Sequence, residues 1–346
     1  MKILVIAIPG LGNTLLAMPM LKEIRSHFPE SRIDLLVGLK ASEEIMKNCP
    51  YINNIFLIDK KIFRNFSKNI ETIKKLKKEH YDISITTFPA AQPHYNILAK
   101  FIGAKKRITH DYKKNFINLQ TDLVPINICH DVEQNLSLLK PLNVKFTKNN
   151  KLEIWLNKEE EKFSTNFIRK YKKFEIIGIH PGSSVDRGMK EKRWNIKKFA
   201  ELADKLTENK KRLHFFIFIG SEEKDLEKIK DIVEDKSKIS IIKGIEIRKV
   251  AAIINKCKLF ISNDSGLMHI AAACNVPTLG IFTQTDYRRT YPYGKHCRAV
   301  YKGKPYLRFR QSLEELASAS KPLEKEYILE EISSEDVYKI AIKMLK

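Results

Sequence analysis

The sequence predicts an α/β protein of two domains, each with helices packed on a parallel sheet. Short apolar runs alternate with amphipathic segments in both halves of the chain, as they do in strand-helix-strand units. The 346 residues exceed what one hydrophobic core usually organises, because such cores stop growing at about 250–300 residues. Polar, glycine-bearing turns follow several of the apolar runs, which is typical of the ligand-binding edge of an open parallel sheet.

The first half of the chain contains four predicted strands. These cover residues 2–8, 32–37, 54–58 and 82–86. The first connecting helix is predicted over residues 14–27, where Leu15, Met18 and Leu21 recur at helical spacing. Pro19 lies close enough to the start of this helix to be tolerated.

A glycine-bearing turn, residues 9–13, joins the first strand to the first helix. Its Gly10 and Gly12 indicate a tight turn and a close approach of the backbone to a ligand. The pattern is not the dinucleotide-binding fingerprint, because a third glycine is missing and Asp34 falls inside the second strand instead of at its end. Asn13 either faces a ligand or simply caps the helix, and the sequence leaves both interpretations open.

A lysine-rich helix is predicted over residues 62–80. One side carries Phe63, Phe66, Ile70, Ile73 and Leu76, and the other carries Lys68, Lys74, Lys75, Lys77 and Lys78. The helix either rests on an anionic membrane or packs its apolar side on the sheet and leaves its lysines in solvent, which is the commoner arrangement. After the fourth strand, a proline-bearing loop over residues 87–94 is expected to bring His94 to the same sheet edge as the glycine-bearing turn.

The second half repeats the alternation after a weakly patterned region between residues 111 and 165. Strands are predicted at residues 175–180, 213–219, 239–242, 258–262 and 276–281, and helices at 195–208, 222–233, 246–256 and 266–274. We therefore predict one domain at residues 1–165 and a second at 166–330. A helix within residues 331–346 closes the chain.

Composition is that of a soluble globular protein. No apolar run approaches the roughly 18–20 residues of a membrane span, and the apolar start meets Pro9 and Gly10 too soon to be a secretory signal. The five cysteines lack CxxC spacing, which argues against a zinc site or a disulfide framework and for reduced thiols. The net charge of +22 would attract anionic lipid, nucleic acid or phosphorylated substrates, or it reflects only a lysine-rich composition.

Four loops that follow strands in the second half share chemistry suited to a nucleotide diphosphate. They comprise residues 180–184 with the basic segment 187–194, residues 220–223, residues 264–266 and residues 282–286. Helix N-terminal donors after Asp264 and cations such as Lys192 favour phosphate binding. Each feature also has a purely structural interpretation, since Glu222 and Glu223 are favourable in any first helical turn. Asp264 is equally a common helix cap, and His269 lies among apolar residues like a packed core histidine.

Specific motifs occupy residues 1–37 and 175–295. They read KILVIAIPGLGNTLLAMPMLKEIRSHFPESRIDLLV in the first half, and IGIHPGSS, KEKRW, FFIFIGSEEKD and AAIINKCKLFISNDSGLMHIAAACNVPTLGIFTQTDYRRTYPYG in the second. They resemble the motifs of glycosyltransferase family 9, the ADP-heptose:lipopolysaccharide heptosyltransferases. The resemblance implies a GT-B fold, in which two Rossmann-like domains face each other and a C-terminal helix crosses back onto the first. It also implies an inverting, metal-independent glycosyl transfer.

The resemblance assigns substrate-binding residues as well. It implies that the donor is held by Ser183, Lys192, Glu222, Asp264, Ser265, Gly266 and His269. Lys192 would balance the diphosphate charge, Glu222 would bind the ribose, and Gly12 would approach substrate in the first domain. No DxD motif occurs, so helix dipoles and cations are expected to hold the leaving group without a metal or cofactor.

One departure from the family pattern concerns the catalytic base. The family commonly has an aspartate after the G-x-G turn, whereas this chain has Asn13, whose amide cannot accept a proton near neutral pH. Three accounts follow: His94 is the base, Asn13 positions the acceptor while phosphate or water takes the proton, or catalysis is weak or lost. Asn13 and His94 are therefore the candidate catalytic residues.

The sequence thus predicts a transferase that moves a heptose from an ADP-sugar donor to a lipid-linked lipopolysaccharide core acceptor. We expect it in the cytoplasm, or peripherally on the anionic surface of the inner membrane. One alternative is a transferase or epimerase for another nucleotide sugar, and another is a catalytically silent sugar-nucleotide or lipid-binding protein. Nucleic acid is not an expected partner, because no recognition motif accompanies the lysines.

Overall fold

The chain forms two compact units, the first ending at Lys151 and the second beginning at Leu152. The computed structural model describes residues 1–60, 62, 65–112, 119–146, 151–183, 190, 192–302 and 331–346. Several residues named from the sequence lie outside these ranges, namely Phe63 of the lysine-rich helix and residues 184–189 and 191 of the basic loop.

The first unit is built on a six-stranded parallel sheet. Its strands are β1 (Lys2–Ala7), β2 (Arg32–Val37), β3 (Asn54–Leu57), β4 (Ile83–Thr86), β5 (Lys106–His110) and β6 (Asp122–Val124). The order β3-β2-β1-β4-β5-β6 is that of a Rossmann-like sheet, in which the strand order reverses between β1 and β4. The apolar run of β1 lies at the centre, where five of its six residues are buried.

Helices connect these strands. They are α1 (Leu11–Leu16), α2 (Met18–His27), α3 (Lys40–Met46), α4 (Phe66–Lys78), α5 (Pro93–Ile102) and α6 (Asp131–Ser137). The helix predicted over residues 14–27 is thus two helices. Pro19 lies in the first turn of α2, where its missing N–H would be unpaired in any case, so a new helix begins there.

The second unit repeats the same topology. Its strands are β7 (Glu175–His180), β8 (Leu213–Phe218), β9 (Ile239–Ile242), β10 (Leu259–Asn263), β11 (Thr278–Phe282) and β12 (Cys297–Tyr301). Its helices are α7 (Lys158–Ile168), α8 (Ile196–Asn209), α9 (Ile229–Ile232), α10 (Ile247–Ile254), α11 (Gly266–Ala273), α12 (Tyr287–Thr290) and α13 (Ser334–Met344). The order β12-β11-β10-β7-β8-β9 reverses between β7 and β10. The predicted α/β class, with two Rossmann-like sheets, is confirmed.

Three strands and a second helix also differ from the prediction. Strands β5, β6 and β12 had not been predicted, because they are short or carry charged residues that break the apolar pattern. The single helix predicted over residues 222–233 is instead a turn, one 3₁₀ turn at Lys224–Leu226 and the short α9. The carboxylate of Glu223 turns back to accept the N–H of Gly220 at 2.8 Å, which fixes a turn where a helix start was expected.

The domain boundary also lies earlier than residue 165. Helix α7 packs on α10 of the second unit, and Glu160 of α7 forms a buried ion pair with Arg248 of α10. The Arg248 Nε lies 2.5 Å from the Glu160 Oε1, and the Arg248 Nη2 donates to the carbonyl of Trp155 at 2.6 Å. These contacts attach the chain from Leu152 onward to the second unit.

Helix α13 belongs to the second unit too, which corrects the expectation that residues 331–346 pack on the first domain. It packs on α8, and its Val337 and Ala341 join the core around Phe199. The indole Nε1 of Trp194 donates to the carbonyl of Ile332 at 2.8 Å. Trp194 is therefore part of the core of the second unit.

Two further findings concern the cysteines and membrane-spanning helices. All five cysteines are free thiols, as their spacing predicted. In the parts of the chain that the structure covers, no helix combines the length and apolar character needed to cross a membrane.

Candidate functional site

The strand-order reversal of the second sheet brings two predicted donor loops together. Strands β7 and β10 are neighbours, and Ser262 pairs in register with His180, so the loops that follow them begin side by side. Asn263 joins them, because its Nδ2 donates to the carbonyl of Pro181 at 2.7 Å and its Oδ1 accepts the N–H of Trp194 at 2.9 Å. Ligands of open α/β sheets bind at this position.

Helix α11 begins at this edge. Ser265 is its N-cap, with its Oγ accepting the N–H of Met268 at 3.4 Å and lying 3.0 Å from the Oγ of Ser262. Gly266 is the first helical residue. The helix start therefore presents backbone N–H groups and the positive end of the helix dipole at the edge of the sheet.

Asp264 and Lys192 form an ion pair beside this helix start. The Lys192 Nζ lies 2.9 Å from the Asp264 Oδ2, and the two side chains are only 11% and 14% exposed. Burial raises the pKa of Asp264, but the Lys192 charge, the His269 ring and hydrogen bonds from Lys192 and Thr285 together hold that pKa below its usual value. The interpretation of Asp264 as the cap of the helix is wrong, because Ser265 occupies that position.

His269 lies one turn into α11 and is 3% exposed. Burial lowers its pKa to about 4, although the Asp264 charge acts in the opposite direction. The imidazole is therefore neutral at neutral pH. Its Nδ1 has no hydrogen-bond partner among the described residues, so the buried ring is only partly satisfied by the fold.

The loop after β7 and the turn after β8 meet at Glu223, not at Glu222. Glu223 is buried and accepts the backbone N–H of Ser183 at 2.9 Å. Glu222 is exposed on the same turn. Both carboxylates were visible in the sequence, but which one faces inward depends on the geometry of an irregular turn.

Arg193 belongs to the predicted basic segment 187–194, and the structure gives it a defined place. Its Nη2 donates to the Glu223 Oε1 at 3.0 Å, and its Nε donates to the Ser183 Oγ at 3.2 Å. On either side of Arg193, Lys192 and Trp194 bind the adjacent residues Asp264 and Asn263 at the end of β10. The KRW motif was the sequence signal for this segment.

In the first unit, the strand-order reversal lies between β1 and β4. Ile6 pairs in register with Thr86, so the glycine-bearing turn and the segment after β4 begin side by side. Thr14 fixes the turn through its buried hydroxyl, which donates to the carbonyls of Ala7 at 3.3 Å and Gly10 at 3.1 Å.

Asn13 is the third residue of α1, and Gly10 is its N-cap. The interpretation of Asn13 as a helix cap is therefore wrong. Gly12 is the second residue of the same helix, and both residues are half-buried. A Cβ at Gly10 would lie 3.2 Å from the Asn13 Oδ1, so the side-chain amide lies close against the turn.

His94 is in the first turn of α5 and not in a loop, because Pro93 begins that helix. Its ring is half-buried and lies 4.2 Å from the ring of Tyr95, measured between centroids. His94 and Asn13 thus belong to the connections that leave adjacent strands at the same edge of the first sheet.

The predicted residues therefore fall into two sets. The second unit brings together Ser183, Lys192, Asp264, Ser265, Gly266 and His269, with Glu222 exposed on the adjacent turn. The first unit places Gly12, Asn13 and His94 at its own strand-order reversal. Among the residues covered by the structure, no group of three or more His, Cys, Asp or Glu is arranged to hold a metal ion.

A family model described as glycosyltransferase family 9 (heptosyltransferase) matches residues 70–316, which is most of the chain. The chain belongs to glycosyltransferase family 9. It is therefore a glycosyltransferase, as its motifs predicted, and its two Rossmann-like units are the GT-B architecture.

Known proteins of similar length support this assignment. The glycosyltransferase is 25% identical over 309 residues to lipopolysaccharide heptosyltransferase 3 of Escherichia coli K12, covering 84% of this chain and 85% of the relative. A family 9 glycosyltransferase from Veillonella parvula DSM 2008 has a similar fold, with a TM-score of 0.80, 24% identity, and coverage of 99% and 97%. ADP-heptose lps heptosyltransferase II of E. coli has a TM-score of 0.76 and 18% identity, with 100% and 98% coverage.

Proposed function

We propose that this glycosyltransferase moves a heptose from ADP-heptose to a saccharide acceptor of the lipopolysaccharide core. The observation that carries the donor assignment is the Lys192–Asp264 pair beside the N-terminus of α11, at the strand-order reversal of the second sheet. An anionic diphosphate suits both the cation and the free N–H groups. The names of the relative and of the E. coli structure supply the identity of the sugar and the acceptor.

The diphosphate is proposed to rest on the start of α11, with Lys192 and Ser183 beside it. In the free enzyme Asp264 neutralises Lys192, so the lysine is held in a fixed position before the donor arrives. As the glycosidic bond breaks, negative charge develops on the phosphate oxygen that leaves. The helix dipole and Lys192 stabilise that charge without a metal ion.

The sugar and ribose contacts are assigned by chemistry. His269 is neutral, so one ring nitrogen donates and the other accepts, and the imidazole is suited to sugar hydroxyls. Glu222 is exposed at the adjacent turn, and its carboxylate is available to accept hydrogen bonds from ribose hydroxyls.

The acceptor is proposed to bind at the edge of the first sheet that carries Gly12, Asn13 and His94. The acceptor hydroxyl oxygen forms a new bond to the anomeric carbon, the bond from that carbon to the phosphate oxygen breaks with its electron pair, and ADP leaves. Attack from the opposite side inverts the anomeric centre. The hydroxyl proton passes to His94 or, if Asn13 only positions the acceptor, to phosphate or water.

Peripheral contact with an anionic membrane is a further part of the proposal. Helix α4 packs part of its apolar side inward, since Leu76 is buried and Ile73 packs on the same core, whereas Ile70 is 37% exposed. Its lysines at positions 68, 74, 75, 77 and 78 remain exposed. Such a cluster attracts anionic lipid, on which the lipid-linked acceptor is carried.

The decisive experiment follows ADP release from ADP-heptose in the presence of heptose-deficient lipopolysaccharide core. We expect turnover that requires the acceptor, persists in EDTA and yields the inverted linkage. Parallel reactions with UDP-sugars test the other nucleotide-sugar enzymes, and their preferential turnover would overturn the donor assignment. Binding of ADP-heptose without turnover on any core acceptor would instead identify a silent binding protein.

A further inference from the structure

A buried carboxylate lies between the two loops of the donor edge. The Glu223 side chain is 6% exposed, and a carboxylate in such a position must be paired to be tolerated. Its Oε1 accepts the N–H of Ser183 at 2.9 Å and the Nη2 of Arg193 at 3.0 Å. Its Oε2 accepts the N–H of Gly220 at 2.8 Å. One side chain therefore joins three separate segments.

Arg193 completes the same cluster from the other side. Its Nη2 also donates to the carbonyl of Ser183 at 3.0 Å, and its Nε donates to the Ser183 Oγ at 3.2 Å. Ser183 is thus held at its N–H by Glu223 and at its carbonyl and hydroxyl by Arg193. A planar guanidinium can make these contacts together, whereas the single ammonium of a lysine cannot.

The backbone at Gly182 gives an independent indication that the loop is folded around this carboxylate. A Cβ at Gly182 would lie 2.1–2.4 Å from the carboxyl atoms of Glu223, so a side chain there would displace that carboxyl group from its hydrogen bonds. The loop therefore passes directly over the Glu223 carboxyl group.

We propose that Glu223 and Arg193 form a positioning pair that fixes the loop 181–183 against the turn 220–223, and that this pair sets the affinity for the nucleotide-sugar donor. The inference rests on the proposed function, since it assumes that the donor binds at this edge. Glu223 is assigned a positioning role, because its carboxylate is 6% exposed and already accepts three hydrogen bonds from the protein.

The pair also acts on Lys192. Arg193 is held by Glu223, and on either side of it Lys192 reaches Asp264 while the backbone N–H of Trp194 reaches Asn263. The hydroxyl of Thr283, which follows β11, donates to the Lys192 carbonyl at 2.8 Å. Fixing Arg193 therefore fixes the direction in which the Lys192 side chain leaves the backbone.

The test is Glu223→Gln, assayed with ADP-heptose and a core acceptor. A glutamine keeps the shape but has only one acceptor oxygen, so either Ser183 or Gly220 loses a partner and Arg193 loses its counter-charge. We expect the KM for ADP-heptose and the Kd for ADP to rise about tenfold or more, while kcat changes less than about threefold. Such a split separates positioning of the donor from general loss of folded enzyme.

The matched control is Asp225→Asn, which removes a carboxylate from the same turn. Asp225 is 56% exposed and lies 3.8 Å from the Arg193 Nη1, so it tests charge near Arg193 without the buried hydrogen bonds. We expect its KM and Kd to stay within about twofold of the unmodified enzyme. If Glu223→Gln fails to fold, Arg193→Lys keeps the charge but loses the planar fork, and we expect the same split.

Several outcomes would overturn the inference. A folded Glu223→Gln enzyme with unchanged KM and Kd would do so, as would a fall in kcat alone or an equal effect of Asp225→Asn. If the unmodified enzyme does not turn over ADP-heptose, the proposed function fails, and the Kd for ADP alone still tests the pair. An unmodified enzyme that binds neither ADP nor ADP-heptose would exclude a donor-positioning role.

Discussion

At the scale of single residues, the donor edge is organised by pairing between side chains that the sequence had assigned separately to substrate. Lys192 and Asp264 lie 72 residues apart in the chain, yet their charges are joined at 2.9 Å. A partly buried ion pair contributes little net stability, but removal of one partner leaves the other charge uncompensated. Both residues therefore stabilise each other in the fold, and both are proposed to serve the donor site.

Asp264→Asn should lower the free energy of unfolding by about 1–3 kcal/mol and strongly reduce transfer, because Lys192 is left buried without its counter-charge. Urea unfolding of Asp264→Asn, Lys192→Gln and the double variant checks this. We expect the double variant to lose less stability than the sum of the single changes. Glu71→Gln is the matched control, because Glu71 and its partner Lys75 are 77% and 64% exposed and loss of such a pair should leave stability essentially unchanged.

Asn13 is the residue that departs from the family pattern. We expect Asn13→Ala to lower kcat about tenfold while the Kd for ADP-heptose is unchanged, because the amide positions the acceptor and not the donor. Isothermal titration with ADP-heptose and a turnover assay separate the two quantities. Unchanged turnover would remove Asn13 from the mechanism. A larger loss in His94→Gln than in Asn13→Ala would identify His94 as the base.

At the scale of secondary structure elements, close packing of the central strands depends on glycine. Gly178 of β7 is the register partner of Phe260 of β10, and a Cβ at Gly178 would lie 2.4 Å from that ring. The aromatic ring fills the space that the missing side chain leaves. This packing contact lies between the two strands that precede the proposed donor loops.

Gly178→Ala should therefore destabilise the second unit by about 1–3 kcal/mol, because the core is already filled at that point. Thermal unfolding measures the change. Gly294→Ala is the control, since the nearest atom to its added Cβ is the Cys297 Sγ at 3.3 Å, and we expect a smaller effect. Phe260→Leu in the Gly178→Ala background should recover part of the loss, and a further loss of stability there would contradict the steric account.

Helix α4 carries the proposed membrane contact. Lys77 and Lys78 are adjacent and exposed, and each lysine near an anionic surface contributes about 1 kcal/mol to binding. Replacing both with glutamine should weaken binding to phosphatidylglycerol vesicles roughly thirtyfold at low salt. Lys172 and Lys173 form a matched exposed pair in the second unit. Equal weakening by their replacement would show that net charge and not α4 governs binding.

At the scale of the whole molecule, buried histidines link stability to pH. Burial lowers the pKa of His110, His214 and His269 to about 4 in each case. Since an unfolded histidine titrates near 6.5, the unfolded chain binds more protons between pH 6.5 and 4. The stability contributed by these neutral rings is therefore complete above pH 6.5 and is lost as the pH falls towards 4.

We expect the Tm to fall steadily from pH 6.5 to 4.5. The Tm of the second unit should fall further than that of the first, because the second unit contains His214 and His269. Differential scanning calorimetry at several pH values measures both. His269→Gln should reduce the pH dependence of the second transition, because it removes one titrating ring. That ring contributes about 1.4 kcal/mol for each unit by which its pKa is lowered. A Tm that is flat across this range would contradict the burial of neutral rings.

The sequence by itself determined the α/β class, the family, and the central strands of both sheets. Those features depend on local signals: apolar runs such as 259–261, amphipathic spacing, and polar turns at strand ends. The short strands β5, β6 and β12 escaped prediction because charged residues interrupt their pattern. The motif segments 180–183, 192–194 and 264–266 were placed correctly at one sheet edge because parallel strands present their carboxyl ends together.

Only the tertiary structure decided which groups contact one another within that edge. It paired Lys192 with Asp264, turned Glu223 inward and left Glu222 in solvent. It also joined the chain from Leu152, and the last helix, to the second unit. The physical reason is that side-chain direction in an irregular turn follows no sequence periodicity from which it could be predicted. Contacts between residues far apart in the chain are set by the packing of the elements that carry them.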